Sequence, residues 1–266
     1  MIVQSVRTYR QQMPRIGSRK LYILVKREFG SQQGFPGRDK FLDLLSDQGL
    51  LLRIKRRKHY KTTDSNHPFK RYPNLIRDKV FRAPNQAWAS DITYVETADG
   101  VCYLSLITDL YSRKIVGWAL GETLQTVHCQ RALEMALETL RYPEDSKGLI
   151  HHSDRGCQYC SYSYVDRLKS RWIQISMTES GDPLENAVAE RVNGIIKSEW
   201  LYGVEIKDYA DCYERVSQAI ETYNNLRPHM SLDYQTPTEV HDFGAVPVRH
   251  WKTYSERKQA NQEQTL

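Results

Sequence analysis

The chain has 266 residues, with 38 Lys/Arg against 32 Asp/Glu for a net charge of +6, and the two signs are segregated: residues 1–82 carry a net +14 and residues 83–266 a net −8. No run approaches the roughly 20 apolar residues of a spanning helix, the opening MIVQSVRTYRQQMPRIG lacks the apolar core of an export signal, and five cysteines are too few for a disulfide framework. These features exclude a membrane protein and a small secreted scaffold, leave a reducing cytoplasm as the expected setting, and make a polyanion the natural partner of the basic first third.

In chain order, Leu21, Leu24, Val25 and Phe29 predict a helix from Arg15 to Phe29, stopped by Gly30 and the polar run to Gly34. Phe41, Leu44 and Leu45 predict a second, from Arg38 to Gln48, stopped by Gly49. Two short helices among basic residues, Arg38 and Lys40 included, resemble a helix-turn-helix unit. Residues 53–61 add six Lys/Arg and a histidine on little apolar support. Lys55, Arg56, Arg57 and Lys58 there are candidates for phosphate contact, and a solvated loop is the alternative. The expected organisation is a basic module over 1–61, a polar linker over 62–82 holding Pro68 and Pro73, a catalytic core over 83–242 and a tail over 243–266.

The core opens with strand patterns. Trp88 to Glu96 and Val101 to Leu110 are rich in Tyr, Val, Ile and Thr, and Asp99-Gly100 between them is a hairpin-turn pair. A third strand fits Lys114 to Leu120 and a helix fits about Thr123 to Leu140. A strand follows at Gly148 to His152, a helix at Tyr162 to Ser170, a strand at Trp172 to Met177 and a long helix at about Leu184 to Trp200. Hairpins followed by strand–helix crossovers predict an α/β fold, a mixed sheet flanked by helices.

Three acidic residues stand out. Asp91 lies inside the first strand, where an unpaired carboxylate is costly to bury. Asp154 follows the end of the fourth strand, where ligand sites collect. Glu190 sits on the long helix, and at 100° per residue it shares a polar face with Asn186, Asn193 and Lys197, opposite the stripe of Val188, Val192 and Ile195. A polar helix face is most often plain solvent exposure. Glu199 falls on the apolar side with no account in the pattern. Carboxylates from strand, strand end and helix suit hard divalent cations, and a pair of such ions suits phosphodiester chemistry, with its weak nucleophile and poor leaving group.

With these motifs in place, the chain resembles the insertion-sequence transposases of the retroviral-integrase superfamily, and within them the downstream-frame product of the group encoded in two overlapping frames. The matching residues are Asp91, Asp154 and Glu190, with 35 residues between the last two and Lys197 seven after Glu190. Trp88 to Tyr94, Asp109 with Ser112 to Trp118, His152 to Gly156, Tyr223 to His229 and Thr236-Pro237 also match. The resemblance implies a ribonuclease H-like core in which the three acids hold two Mg²⁺ or Mn²⁺ ions, and cleavage and 3′-OH strand transfer on DNA. It implies transposon-end DNA at Lys197, with Asn186 and Asn193 beside it. It further implies a homo-oligomer, at least a dimer on transposon-end and target DNA, and engagement with an upstream-frame product. A nuclease with the same core and a non-catalytic DNA-binding regulator are the alternatives. Other signals are weaker. Cys157 and Cys160 lack zinc spacing around them, His151 and His152 read as packing or support for Asp154, the stripe from Tyr209 to Tyr223 reads as core or subunit contact, and Arg227 and His229 could touch phosphate or pack a turn.

Overall fold

The computed structural model describes residues 1–52, 68–179 and 183–247. Three helices open the chain: α1 (Ile2–Gln12), α2 (Ser18–Phe29) and α3 (Arg38–Asp47). The core follows as β1 (Ala87–Thr97), β2 (Gly100–Asp109), β3 (Ile115–Gly121), α4 (Thr126–Glu138), β4 (Ile150–Ser153), the single turn α5 (Cys157–Cys160), α6 (Tyr162–Ser170), β5 (Gln174–Met177), α7 (Ala187–Ile196), α8 (Tyr209–Asn225) and α9 (Pro237–His241).

The strands form one sheet in the order β3-β2-β1-β4-β5. β1, β2 and β3 are an antiparallel meander, and β4 and β5 add in parallel. The first hairpin closes through Gly100 at φ +149°, a conformation side chains rarely adopt. The later strands need crossovers, which α4 and α6 supply. On β3, a Cβ at Gly117 would collide with the Ala132 carbonyl, so glycine lets α4 lie directly on the sheet. This is the expected mixed sheet flanked by helices.

Alternation sorts the strand residues onto two faces. Trp88, Ile107 and Val116 meet Ala132, Leu133 and Ala136 of α4 and Tyr164 and Leu168 of α6. Val95, Leu104, Leu106 and Leu120 meet Val192 and Ile195 of α7 and Val216, Ile220 and Tyr223 of α8. Val6, Met13, Leu21, Val25 and Phe41 of the N-terminal helices join that second cluster. The opening helices therefore share a hydrophobic core with the catalytic region.

Three findings refine the sequence expectation. A helix at Ile2–Gln12 precedes the two foreseen; its pattern was faint because only Ile2, Val3 and Val6 are apolar, yet Val6 is fully buried. Residues 68–82 form no helix or strand but are pinned to the edge strand β5: the Leu75 N–H donates to Ser176 Oγ at 2.8 Å and the Met177 N–H to the Pro73 carbonyl at 3.2 Å. The long helix changes at Lys197 into a wider π turn, Lys197–Leu201. The expected boundary at 61/62, the basic run 53–61 and most of the C-terminal tail lie outside the described residues.

Candidate active site

β4 pairs with β1 only at Ala87, Trp88 and Ala89, and ends at Ser153. Beyond Ala89, β1 runs on past its neighbour, and a shallow cleft opens where the strands part. Asp91 lies two residues past the last paired position and Asp154 one past the end of β4, and both line this cleft. Asp154 Oδ1 accepts from the Gly156 N–H at 3.0 Å, which fixes the turn that presents it.

α7 brings Glu190 to the same place. At its N-terminus Asn186 donates to the Ser90 carbonyl at 3.1 Å, which ties the start of the helix to β1. Two turns further, Asn193 donates to Asp91 Oδ2 at 2.8 Å. Glu190 is exposed on the face between them.

The charges of Asp154 and Glu190 both act on Asp91. Asp91 has its pKa pushed up to about 7, first by burial, then by the charge of Asp154, with Glu190 adding to the effect; the Asn193 hydrogen bond opposes it. None of the groups that set this shift is a cation. Among the described residues no three His, Cys, Asp or Glu side chains already stand together as a cation cage. The cleft nonetheless offers the carboxylate oxygens of Asp91 and Asp154, the donor type a hard divalent ion takes.

Lys197 is 9% exposed. Its Nζ donates to Thr93 Oγ1 at 3.1 Å and lies 3.9 Å from the Tyr94 ring centroid, a cation–π distance. Thr93 and Tyr94 both line the cleft, so Lys197 stands at its wall. Asn186 and Asn193, expected at the DNA surface, are buried and spend their amide N–H groups on β1. Burial of those amides makes them positioning groups in this state. Arg38 and Lys40 are exposed on α3, which packs on α2 away from the carboxylates, and Arg38 pairs with Asp39 at 3.0 Å. Lys55, Arg56, Arg57 and Lys58 fall outside the described residues.

The remaining motif residues brace the site. His151 Nε2 lies 2.7 Å from Ser90 Oγ and 2.9 Å from the Tyr164 hydroxyl, and burial lowers its pKa to about 3. His152 Nδ1 lies 2.8 Å from Ser176 Oγ. Both histidines are buried supports of β4, as a packing role requires. Asp109 is fully buried and accepts from the N–H groups of Asn85, Tyr111 and Ser112 and from Ser112 Oγ, so it fastens the β2–β3 turn. Cys160 packs with its Sγ 3.6 Å from Met177 Sδ, and burial pushes its thiol up to about 11.

Glu199, unexplained by helical angle, has a clear partner. Both its oxygens accept from Arg227 at 2.7 Å, and Lys20 of α2 donates to it at 3.1 Å. Arg227 is 1% exposed and His229 is buried, and they lock the last motif against the core. The sequence signal for this pair was a charge on an apolar stripe together with a lone arginine in a buried turn. Tyr94, Tyr103 and Gln158 are cleft residues that sequence reasoning passed over, because a tyrosine in a strand looks the same in a core and in a cleft.

Two integrase core domain models match the chain, over residues 82–183 and 171–237. The transposase for insertion sequence element IS904 of Lactococcus lactis is 30% identical over 239 residues, covering 83% of this chain and 93% of that protein. A 31 kDa protein of insertion element IS600 from Shigella sonnei is 37% identical over 204 residues, covering 76% of this chain and 73% of that protein. Among solved structures, the simian T-cell lymphotropic virus intasome in complex with a PP2A regulatory subunit has a chain matching 90% of this one and 75% of its own length, at 18% identity and a TM-score of 0.51. That likeness speaks for the fold alone, a ribonuclease H-like core. Together with the ordered motifs and the acids at the parting of β1 and β4, these matches show that the chain belongs to the insertion-sequence transposases built on an integrase core domain.

Proposed function

We propose that Asp91, Asp154 and Glu190 are the catalytic acids of this transposase, and that the chain cleaves DNA strands at the ends of an insertion sequence and joins the freed 3′-OH to target DNA. Polynucleotidyl transfer is the reaction class of the family. The observation that carries the residue assignment is that Asp91 and Asp154 line one cleft, with Glu190 among the charges that raise the Asp91 pKa.

The residues fit a divalent ion. The Asp91 pKa is raised first by burial and then by the charges of Asp154 and Glu190, and a bound Mg²⁺ or Mn²⁺ would favour the ionised form against both. Asp91, Asp154 and Glu190 would hold the ions. Two such ions, when bound, supply activation of the attacking oxygen and stabilisation of the leaving one. The chain's own contribution is placement. Asn193 holds one Asp91 oxygen and so orients the other. Asn186 keeps α7 against β1, which sets where Glu190 projects. Lys197 at the cleft wall meets DNA phosphate.

The basic residues 53–61 and the exposed Arg38 and Lys40 of α3 are further candidates for phosphate contact. The partners in this reading are transposon-end and target DNA, a second copy of the chain on that DNA, and an upstream-frame product. Among the described residues no helix is long and apolar enough to cross a membrane.

Purified protein with Mg²⁺ and duplex DNA carrying the element's ends is expected to nick and join strands. Glu190→Gln is expected to lose both reactions while keeping its circular dichroism spectrum. Full activity in that variant would overturn the assignment.

A further inference from the structure

Tyr103 is the one cleft-lining tyrosine without an engagement. It lies directly across from Tyr94 in the β1–β2 register, so the two side chains leave the sheet side by side. Tyr94 is occupied by Lys197, whose Nζ stands 3.9 Å from its ring centroid. Among the described residues Tyr103 has no hydrogen-bond, ion-pair or ring partner, yet it is partly buried and lines the same cleft as Asp91 and Asp154. Opposite, Gln158 donates to the Leu124 carbonyl at 3.0 Å and closes the other wall with a polar amide and an exposed leucine.

An aromatic face at a cleft wall beside a phosphodiester-cleaving centre has a natural ligand. Every nucleobase offers a π face, and stacking on tyrosine needs no particular sequence. A base still paired in a duplex cannot reach such a wall, because its faces are covered by its neighbours; a base released from pairing can. We infer that the Tyr103 wall of this cleft is a stacking site for an unpaired nucleobase next to the reacting phosphate. The site favours DNA whose end is frayed or single-stranded over DNA paired to its terminus. Tyr94 and Lys197 then serve the phosphate side of the same nucleotide, and Tyr103 the base side. The inference rests on the carboxylate cleft being the DNA site, and deepens it by naming what the cleft holds besides phosphate.

The test uses the full chain in Ca²⁺ buffer and two short DNAs of equal length: a fully paired duplex, and a duplex with an unpaired 3′ tail bearing 2-aminopurine at its last position. The wild-type chain is expected to bind the tailed DNA more tightly than the paired one and to change the 2-aminopurine fluorescence on binding. Tyr103→Leu is expected to lose the fluorescence change and to weaken tailed-DNA binding by roughly ten- to a hundredfold, the range for loss of one base stack. Its affinity for the paired duplex should be unaltered. Tyr103→Phe keeps the ring and should behave as wild type, which separates loss of stacking from loss of folding. If the wild-type chain binds tailed and paired DNA alike, or if Tyr103→Leu keeps both the preference and the fluorescence change, the stacking site is wrong and the DNA cleft stands. If the wild-type chain binds neither DNA, the reading of the cleft fails and takes this inference with it.

Discussion

Two carboxylates nine residues apart on one helical run sit in opposite electrostatic surroundings. Glu199 in the π turn is met by Arg227 and Lys20, and these partners hold its pKa below the usual carboxylate range against the effect of burial. Glu190 stands instead with Asp91 and Asp154, and the Asp91 carboxyl is driven up to about 7. The first cluster is electrically complete within the protein. In the second, burial and the neighbouring carboxylates raise the Asp91 pKa together. That difference separates an acid held down by cations from one pushed up by acids, and neither exposure nor helical angle makes the distinction alone.

The comparison breaks most sharply by neutralising one acid in each cluster. Asp91→Asn is expected to lower strand cleavage by at least about a thousandfold, since divalent-ion stabilisation is worth several kcal/mol. Its thermal stability in ion-free buffer should not fall, because a repelled charge has gone. Glu199→Ala should do the reverse to the fold: about 3–5 kcal/mol of stability lost, because Arg227 stays buried without its partner. Denaturant unfolding beside a cleavage assay reads both. If Asp91→Asn is the more destabilised of the two, the contrast is wrong.

A pH series sharpens the same contrast. Asp91 has a folded-state pKa of about 7 against 3.8 ordinarily, so the folded protein holds this proton more tightly than the unfolded chain. In chelator, its contribution makes stability fall as pH rises from about 4 to about 7 and level off above. Glu199 has the opposite sign: its depressed pKa supplies stability that is present above about 4.5 and lost as pH falls through the folded value. Melting curves across pH should show the Asp91 slope in wild type and its absence in Asp91→Asn. Mg²⁺ at about a hundred times its dissociation constant should raise stability by ~2.7 kcal/mol and should not do so in that variant. The smallest effect is at the cleft wall: Lys197→Gln should reduce the salt dependence of DNA binding by about one unit of log–log slope. An unchanged slope would place phosphate elsewhere.

The N-terminal helices carry a second lesson from the Glu199 cluster. The Arg15 N–H donates to the Glu199 carbonyl, Trp200 Nε1 donates to the Gln12 carbonyl at 2.8 Å, and Lys20 reaches the Glu199 side chain. The run of residues that carries Glu190 and Lys197 is therefore fastened at its far end to the basic opening of the chain. The charge split of the sequence suggested two separate parts, whereas the packing gives them one hydrophobic cluster.

Local chemistry was readable where it repeats. Period-two strands at β1 to β3, the Asp99-Gly100 turn, the apolar stripe of α4 and the spacing of Asp91, Asp154, Glu190 and Lys197 all follow from side-chain alternation and from motif order. The first helix was not, because three apolar residues in a polar stretch give little periodicity and its burial comes from α2. By itself, then, the sequence determined the mixed sheet and the family, and singled out the three acids proposed as catalytic. Only the tertiary structure decided how the polar residues divide: Asn193 and Asn186 turned inward to β1, Arg227 and Glu199 joined in the core, and Tyr103 left open on the cleft. The reason is physical. Hydrophobic periodicity is a local property of one element, but whether a polar group finds its partner depends on which distant segments the fold brings against it.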